Sequence, residues 1–202
     1  MARIGLFGGT FNPIHAGHLM IAEEARLAAK LDRVILVPTG ESYMKDQSDI
    51  APKQARLHMA RLAAAAYGFE VSDMEIRRSG PSYTCETVAA FRALYPGDEL
   101  FLILGADSLM DMERWRSPGA IFAGAGVLAM ARGGVPDGAL REKADELRDR
   151  FGARVEIHGA FSLGVSSSEI RALIRGGHAF RPLLPEAVGR YIEENGLYKS
   201  EK

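Results

Sequence analysis

The sequence predicts an α/β protein: a doubly wound, mostly parallel sheet with helices on both faces. Three observations predict it. Short continuous apolar runs such as Val34-Ile35-Leu36-Val37 and Leu100-Phe101-Leu102-Ile103-Leu104 read as strands buried on both faces. Segments of helical length stand between the runs, and that alternation selects parallel pairing with crossover helices. The chain has 202 residues, 47% hydrophobic and 25% charged, enough for one substantial core. No repeat, linker or low-complexity stretch divides it, so one domain over 1–202 is expected, with a C-terminal helical segment at about 166–198.

The elements follow in order. Residues 2–7 read as a buried strand. Residues 17–31 read as a helix with Glu23, Arg26 and Lys30 on one face. Val34–Val37 is a strand ended by Pro38. Residues 39–51 are polar and irregular, long for a connection in a compact domain, which suggests a functional loop. Pro52 opens a helix through about Tyr67. Residues 69–76 read as a strand, followed by the polar turn Arg77–Pro81. A helix over about Cys85–Leu94 stops before Pro96-Gly97. Leu100–Leu104 is a strand running into Gly105-Ala106-Asp107, and Val127–Met130 is another. A charged helix over about 138–150 precedes the last strand, Arg154–Ile157. Pro185–Tyr198 reads as a terminal helix closed by Asn195-Gly196, with Val188, Tyr191 and Ile192 as its packing stripe.

Bulk properties exclude several classes. The net charge of −1 provides no global field for nucleic acid or membrane. No apolar run is long enough to span a bilayer. The single cysteine, Cys85, rules out an internal disulfide and suits a reducing compartment. Met1 leads directly into Ala2-Arg3-Ile4 without a secretory pattern, so a cytoplasmic protein is expected.

The richest stretch is Gly8-Gly9-Thr10-Phe11-Asn12-Pro13-Ile14-His15-Ala16-Gly17-His18, at the turn from the first strand into the first helix. Glycines let a backbone approach a ligand closely. A helix start offers unpaired N–H groups and a partial positive charge to an anion. His15 and His18 share a helical face and can each donate a hydrogen bond. The stretch therefore reads as a phosphate site. It lacks the G-x-G-x-x-G spacing of a dinucleotide fingerprint and the Gly-Lys-Ser/Thr end of a P-loop. His-x-x-His also suits zinc, but no nearby Cys or acidic pair completes a ligand set. A plain glycine turn with two incidental histidines is the remaining alternative. Ligands in such folds bind beyond the carboxyl ends of strands, so this segment and Gly105-Ala106-Asp107 are expected to meet.

Val165-Ser166-Ser167-Ser168-Glu169-Ile170-Arg171 is the second signal. Ser166 and Glu169 have capping-box spacing, Ile170, Leu173 and Ile174 give a buried stripe, and Gly176-Gly177 ends the helix. Hydroxyls and N–H groups gather at one helix end, with Arg171 just over one turn in. This is either a phosphate grip or a plain cap with a surface arginine.

The first stretch resembles the His-x-Gly-His signature of the nucleotidyltransferase superfamily. Its fuller form resembles bacterial nicotinate mononucleotide adenylyltransferases. The second is similar to that family's Ile-Ser-Ser-Thr-x-Ile-Arg, with Val165 for Ile and Ser168 for Thr. Ser82-Tyr83-Thr84-Cys85-Glu86-Thr87 resembles Ser-Tyr-Thr-x-Asp-Thr, and Gly105-Ala106-Asp107-Ser108 with Trp115 resembles Gly-Ala-Asp-Ser…Trp. The resemblance spans essentially the whole chain and implies a Rossmann-like nucleotidyltransferase fold.

The resemblance implies adenylyl transfer from ATP to nicotinate mononucleotide, with Mg²⁺ held mainly by the ATP phosphates and no metal held by the protein. It assigns His15, His18 and Arg171 to catalysis. ATP binding falls to Gly8, Gly9, Thr10, Phe11, His15, His18, Gly105, Asp107, Ser166, Ser167 and Arg171. Mononucleotide binding falls to Thr10, Lys45, Tyr83, Thr84 and Trp115. In that assignment the backbone around Tyr83-Thr84 holds the pyridine carboxylate, and Trp115, the only tryptophan, stacks on the ring. Two positions depart from the family. Glu86 stands where it has Asp, and Glu41-Ser42-Tyr43-Met44-Lys45 replaces Pro-Pro-His-Lys, leaving Lys45 the cationic role. The alternatives are nicotinamide mononucleotide or another phosphate monoester as acceptor, or a nucleotide-binding sensor without catalysis. A homo-oligomer stays open.

Overall fold

The structure is a computed structural model that describes residues 1–41, 49–131, 134–161 and 163–199. Six strands form one sheet: β1 (Arg3–Gly9), β2 (Arg33–Pro38), β3 (Glu70–Val71), β4 (Glu99–Gly105), β5 (Gly126–Ala131) and β6 (Val155–Gly159). Their order is β3-β2-β1-β4-β5-β6. β1 pairs parallel with β4, β4 with β5 and β5 with β6. This is the doubly wound α/β architecture expected, and the order reverses between β1 and β4. Gly8 and Gly105 lie at the carboxyl ends of those two neighbouring strands.

The helices are α1 (Ala16–Ala28), α2 (Lys53–Ala65), α3 (Met74–Arg77), α4 (Thr84–Leu94), α5 (Ala106–Asp111), α6 (Pro118–Gly124), α7 (Asp137–Phe151), α8 (Ser167–Arg175) and α9 (Glu186–Glu194). The described chain divides into two compact units. The first comprises Met1–Gly8, Ile21–Ile35 and Ser82–Phe161, the second Gly9–Met20, Leu36–Pro81 and Ser162–Lys202. The first has its core at Ile4, Leu6, Leu100, Ile103, Val127, Leu128, Leu140 and Leu147, all buried. The second buries Phe11, Ile14, Leu19, Met59, Ala60, Ile170, Val188 and Ile192. The continuous apolar runs at β2, β4 and β5 are buried almost throughout, as strands covered on both faces should be.

Three elements differ from the sequence expectation. The strand read over 69–76 is only Glu70–Val71, because Ser72-Asp73 turns the chain into α3. Ser72 Oγ accepts from Met74 N at 3.3 Å, and Asp73 pairs with Arg77 one turn on at 2.9 Å. The first helix stops at Ala28, short of residue 31. Lys30 takes φ 49°, and Leu31 N bonds back to Arg26 O at 2.9 Å, a Schellman closure with lysine where glycine is usual. Residues 106–124, given no element from sequence, hold α5, a 3₁₀ turn at Met112–Arg114, and α6 with Pro118 in its first turn.

Candidate functional site

The turn from β1 into α1 belongs largely to the second unit. His15 caps α1 with its backbone, its carbonyl accepting from His18 N at 3.0 Å and Leu19 N at 3.3 Å. His15 N donates to His18 Nδ1 at 3.3 Å. That bond makes Nδ1 the acceptor and leaves the neutral ring's proton on Nε2, a donor for an anion. The two imidazoles lie 3.7 Å apart at 33°, and Phe11 meets His18 edge-on at 5.1 Å. His15 is buried and His18 half-buried.

The glycine between the histidines has a packing reason. A Cβ at Gly17 would sit 3.1 Å from His15 Nδ1 and 3.2 Å from its Cε1. Any side chain there would push the ring out of place. Gly9 is tighter still, since a Cβ would lie 2.8 Å from the Phe11 ring. Phe11 itself takes φ 48°, so this loop is held in a conformation that few side chains adopt freely.

What holds the loop is a set of donors from distant sequence. Arg56 on α2 is 2% exposed and gives hydrogen bonds to the carbonyls of Thr10 (2.8 Å), Thr39 (2.6 Å), Gly40 (2.8 Å) and Ala51 (3.1 Å). Burial pulls its basicity below the arginine norm, opposed by Tyr198 and Glu75. Arg171 Nη1 donates to Asn12 O at 2.9 Å, and Ser167 Oγ to Pro13 O at 2.9 Å. The Asn12 side chain donates to Asp49 O at 2.8 Å, and accepts from Ala51 N and Tyr198 Oη, each at 2.9 Å. Burial pushes the Tyr198 phenol well above its ordinary range, with Arg171 and Arg56 pulling the other way, so it stays a donor.

The capping box expected at α8 is present. Ser166 Oγ accepts from Glu169 N, and the Glu169 carboxylate accepts from Ser166 N. Beyond Asn12, Arg171 turns to Asp49, with Nε and Nη2 at 2.9 and 2.7 Å from the same carboxylate oxygen. Arg175 pairs with the other oxygen of that carboxylate. Two guanidiniums thus converge on one carboxylate, the geometry with which arginines grip a phosphate.

The second unit therefore gathers Gly9, Thr10, Phe11, His15, His18, Ser166, Ser167 and Arg171. Gly8, Tyr83, Thr84, Gly105, Asp107 and Trp115 belong to the first. Lys45 lies outside the described residues. Tyr83 precedes α4 in extended conformation and Thr84 is its first helical residue; the Tyr83 carbonyl accepts from Glu86 N at 3.1 Å and Thr87 N at 3.2 Å, so the helix start lies at this pair. The Arg116 guanidinium lies 4.2 Å over the Tyr83 ring. Asp107 is exposed in the first turn of α5, and Trp115 is half-buried just past the 3₁₀ turn. The charges flanking Trp115 have their own structural partners. Glu113 pairs with Lys143 and Arg150 of α7, and Arg114 with Asp111 at 3.7 Å.

Sequence reasoning missed Arg56, Asp49 and Tyr198, and read Asn12 only as a family letter. Arg56 did carry a signal. It stands at helical spacing with the buried Met59, Ala60 and Ala63, a charge on an apolar stripe. Nothing comparable marks Asp49 or Tyr198.

Among the described residues no group of three or more His, Cys, Asp or Glu could hold a metal ion, and no helix is long and apolar enough to cross a membrane. Residues 6–173 match the family model described as cytidylyltransferase-like. A "probable nicotinate-nucleotide adenylyltransferase" of Roseiflexus sp. (strain RS-1) is 44% identical, with 98% of each chain covered. One of the same description from Geobacter sp. (strain M21) is 41% identical over 97% of this chain and 98% of its own. Among solved structures, the nicotinic acid mononucleotide adenylyltransferase of Plasmodium falciparum, complexed with NaAD, superposes with a TM-score of 0.81. It is 18% identical with 98% of each chain covered, and so supports the fold.

Proposed function

The chain belongs to the cytidylyltransferase-like family, among its nicotinate-nucleotide adenylyltransferases, and we propose that it joins ATP and nicotinate mononucleotide into nicotinate adenine dinucleotide and pyrophosphate, a step of NAD biosynthesis. The observation that carries this reading is the His15–His18 pair, ordered beside a loop whose carbonyls are tied back by Arg56, Arg171 and Ser167.

The mononucleotide's phosphate oxygen attacks the α-phosphorus of ATP in line. The bond from that phosphorus to the bridging oxygen breaks, and pyrophosphate leaves with the electron pair. The nucleophile is already an anion, so no protein base or covalent intermediate is needed. The protein positions the reactants and stabilises charge. Peptide planarity links the tied carbonyls to the N–H groups beyond them. Fixing Thr10 O fixes Phe11 N–H, and fixing Pro13 O fixes Ile14 N–H. Such fixed donors cost no reorganisation when charge moves.

His18 Nε2 and Arg171 meet the charge growing on the leaving pyrophosphate. His15 and Thr10 hold the α-phosphate and the incoming phosphate. Gly8, Gly9 and Phe11 shape the approach of ATP, Ser166 and Ser167 stand at the α8 end, and Gly105 and Asp107 serve the nucleoside. Tyr83, Thr84, Trp115 and Lys45 serve the mononucleotide, with the α4 N–H groups favouring a carboxylate over an amide. Magnesium neutralises phosphate charge in such reactions. The donors gathered here suit anions, so a magnesium ion would be held by the ATP phosphates and would neutralise their charge there. The site of action is the cytoplasm.

The test is pyrophosphate release with ATP and each pyridine mononucleotide in parallel. Strong preference for the nicotinate form is expected, because N–H donors aimed at a carboxylate are left poorly paired by an amide. Equal use of both would overturn the acceptor assignment. Release with neither would overturn the activity.

A further inference from the structure

We propose that Tyr198 is a positioning residue for adenylyl transfer, acting through the buried Asn12 side chain to hold the Thr10–His15 loop in its working shape. The proposal rests on the reading of the reaction given above. It is carried by a chain of contacts. Tyr198 Oη donates to Asn12 Oδ1 at 2.9 Å across 186 positions of sequence. The same oxygen accepts from Ala51 N at 2.9 Å, and Nδ2 of the same amide donates to Asp49 O at 2.8 Å. Asn12 is 5% exposed, so water is a poor substitute for a lost partner.

The position of Asn12 gives this tie its consequence. Residue 12 lies between Phe11, held at φ 48°, and Pro13, which has no N–H to anchor it. Its backbone carbonyl takes one donor of Arg171, and the next carbonyl takes Ser167 Oγ. The Asn12 amide thus fixes the middle of a loop that ends at the His15–His18 pair. Tyr198 is the one of its partners that comes from beyond α9, and it adopts φ 64°, a left-handed backbone that favours glycine. A side chain kept in that conformation, with a protonated phenol buried beside Arg56 and Arg171, is placed to donate.

Tyr198→Phe deletes the donor and keeps the ring. In the full-length chain we expect kcat to fall about tenfold with KM for ATP and mononucleotide changed less than about threefold, because loop geometry and not substrate contact is lost. A merely structural tie would lower the melting temperature and leave kcat alone. In an Asn12→Ser background the same change should have little further effect, as expected for two groups acting as one unit. An imidazole ¹H–¹⁵N spectrum of the ligand-free protein supplies a readout independent of turnover. His18 resonances should shift in Tyr198→Phe. Unchanged kcat with unchanged His18 signals, or effects of the two substitutions that simply add, would overturn the proposal. A wild-type chain that releases no pyrophosphate would instead overturn the reaction, and the His18 spectrum would still decide whether Tyr198 shapes the loop.

Discussion

Arg56→Met is the sharpest test of how this loop is built. The guanidinium gives four hydrogen bonds to backbone carbonyls at 2.6 to 3.1 Å from a position 2% exposed. Methionine fills most of the stem's volume, so the loss is chiefly polar. Thr10 and Thr39 are half-buried and can turn to water, whereas Gly40 and Ala51 are buried. Two orphaned buried carbonyls cost about 1–3 kcal/mol each. Relief from burying a charge offsets part of that, because burial opposes the charged form. A net loss of roughly 3 kcal/mol follows, and at about 2–4 °C per kcal/mol for a chain this size, roughly 10 °C in Tm. Urea titration and calorimetry both measure it. Arg56→Lys should fall between, since an ammonium cannot reach several carbonyls with a planar fork. A loss below about 1 kcal/mol for Arg56→Met would refute the reasoning, showing that water or a rearranged loop satisfies the carbonyls equally well.

Three further outcomes follow from the same geometry. His18→Ala should lower kcat by at least about 100-fold, the scale of one lost electrostatic donor, and near-normal turnover would remove His18 from the reaction. Gly17→Ala should separate activity from stability. The added methyl, 3.1 Å from His15 Nδ1, makes the buried ring give by a few tenths of an ångström and lowers kcat, while the melting temperature should change little, because the crowding of the ring and the helix preference of Ala oppose each other. Asp49→Asn removes the carboxylate that occupies Arg171 and Arg175. A pair open to solvent on the Asp49 side is worth about 1 kcal/mol, so KM for ATP should fall by roughly fivefold. A higher KM would mean that Asp49 orients Arg171 and does not compete for it.

The parts of this fold that were legible share one property: their signal is local. Val34–Val37 and Leu100–Leu104 are unbroken apolar runs, and each is a buried strand within a residue or two of the reading. The Ser166–Glu169 box is written in four letters and forms as written. The failures are equally specific. Residues 69–76 carried enough apolar and extended character for a strand, but Ser72 Oγ accepts from Met74 N, Asp73 pairs with Arg77 one turn on, and a helix starts there. Lys30 closes α1 in a left-handed conformation that sequence assigns to glycine, because the packing of Leu31 (4% exposed) fixes the turn. Arg56 was passed over because a lone charge on a helix normally faces water, although its place on the apolar stripe of α2 marked it.

The Gly8–His18 string shows why a motif can be recognised without being understood. Its letters suggest that histidines and glycines do the work. The structure divides the work differently. Gly17 is there for His15, whose ring occupies the space of its missing side chain. The backbone N–H of residue 15, which needs no imidazole, donates to His18 Nδ1 and so leaves Nε2 as the donor. The Asn12 side chain bonds instead to Asp49, Ala51 and Tyr198, none of which is near it in sequence. A local pattern can encode the first two relations, because their partners are only two and three residues apart in sequence. It cannot encode the third, whose partners come from the segment leading into α2 and from the chain beyond α9. The chemistry of this string therefore depends on residues that no reading of the string alone could have selected, and Asn12 is where that dependence enters.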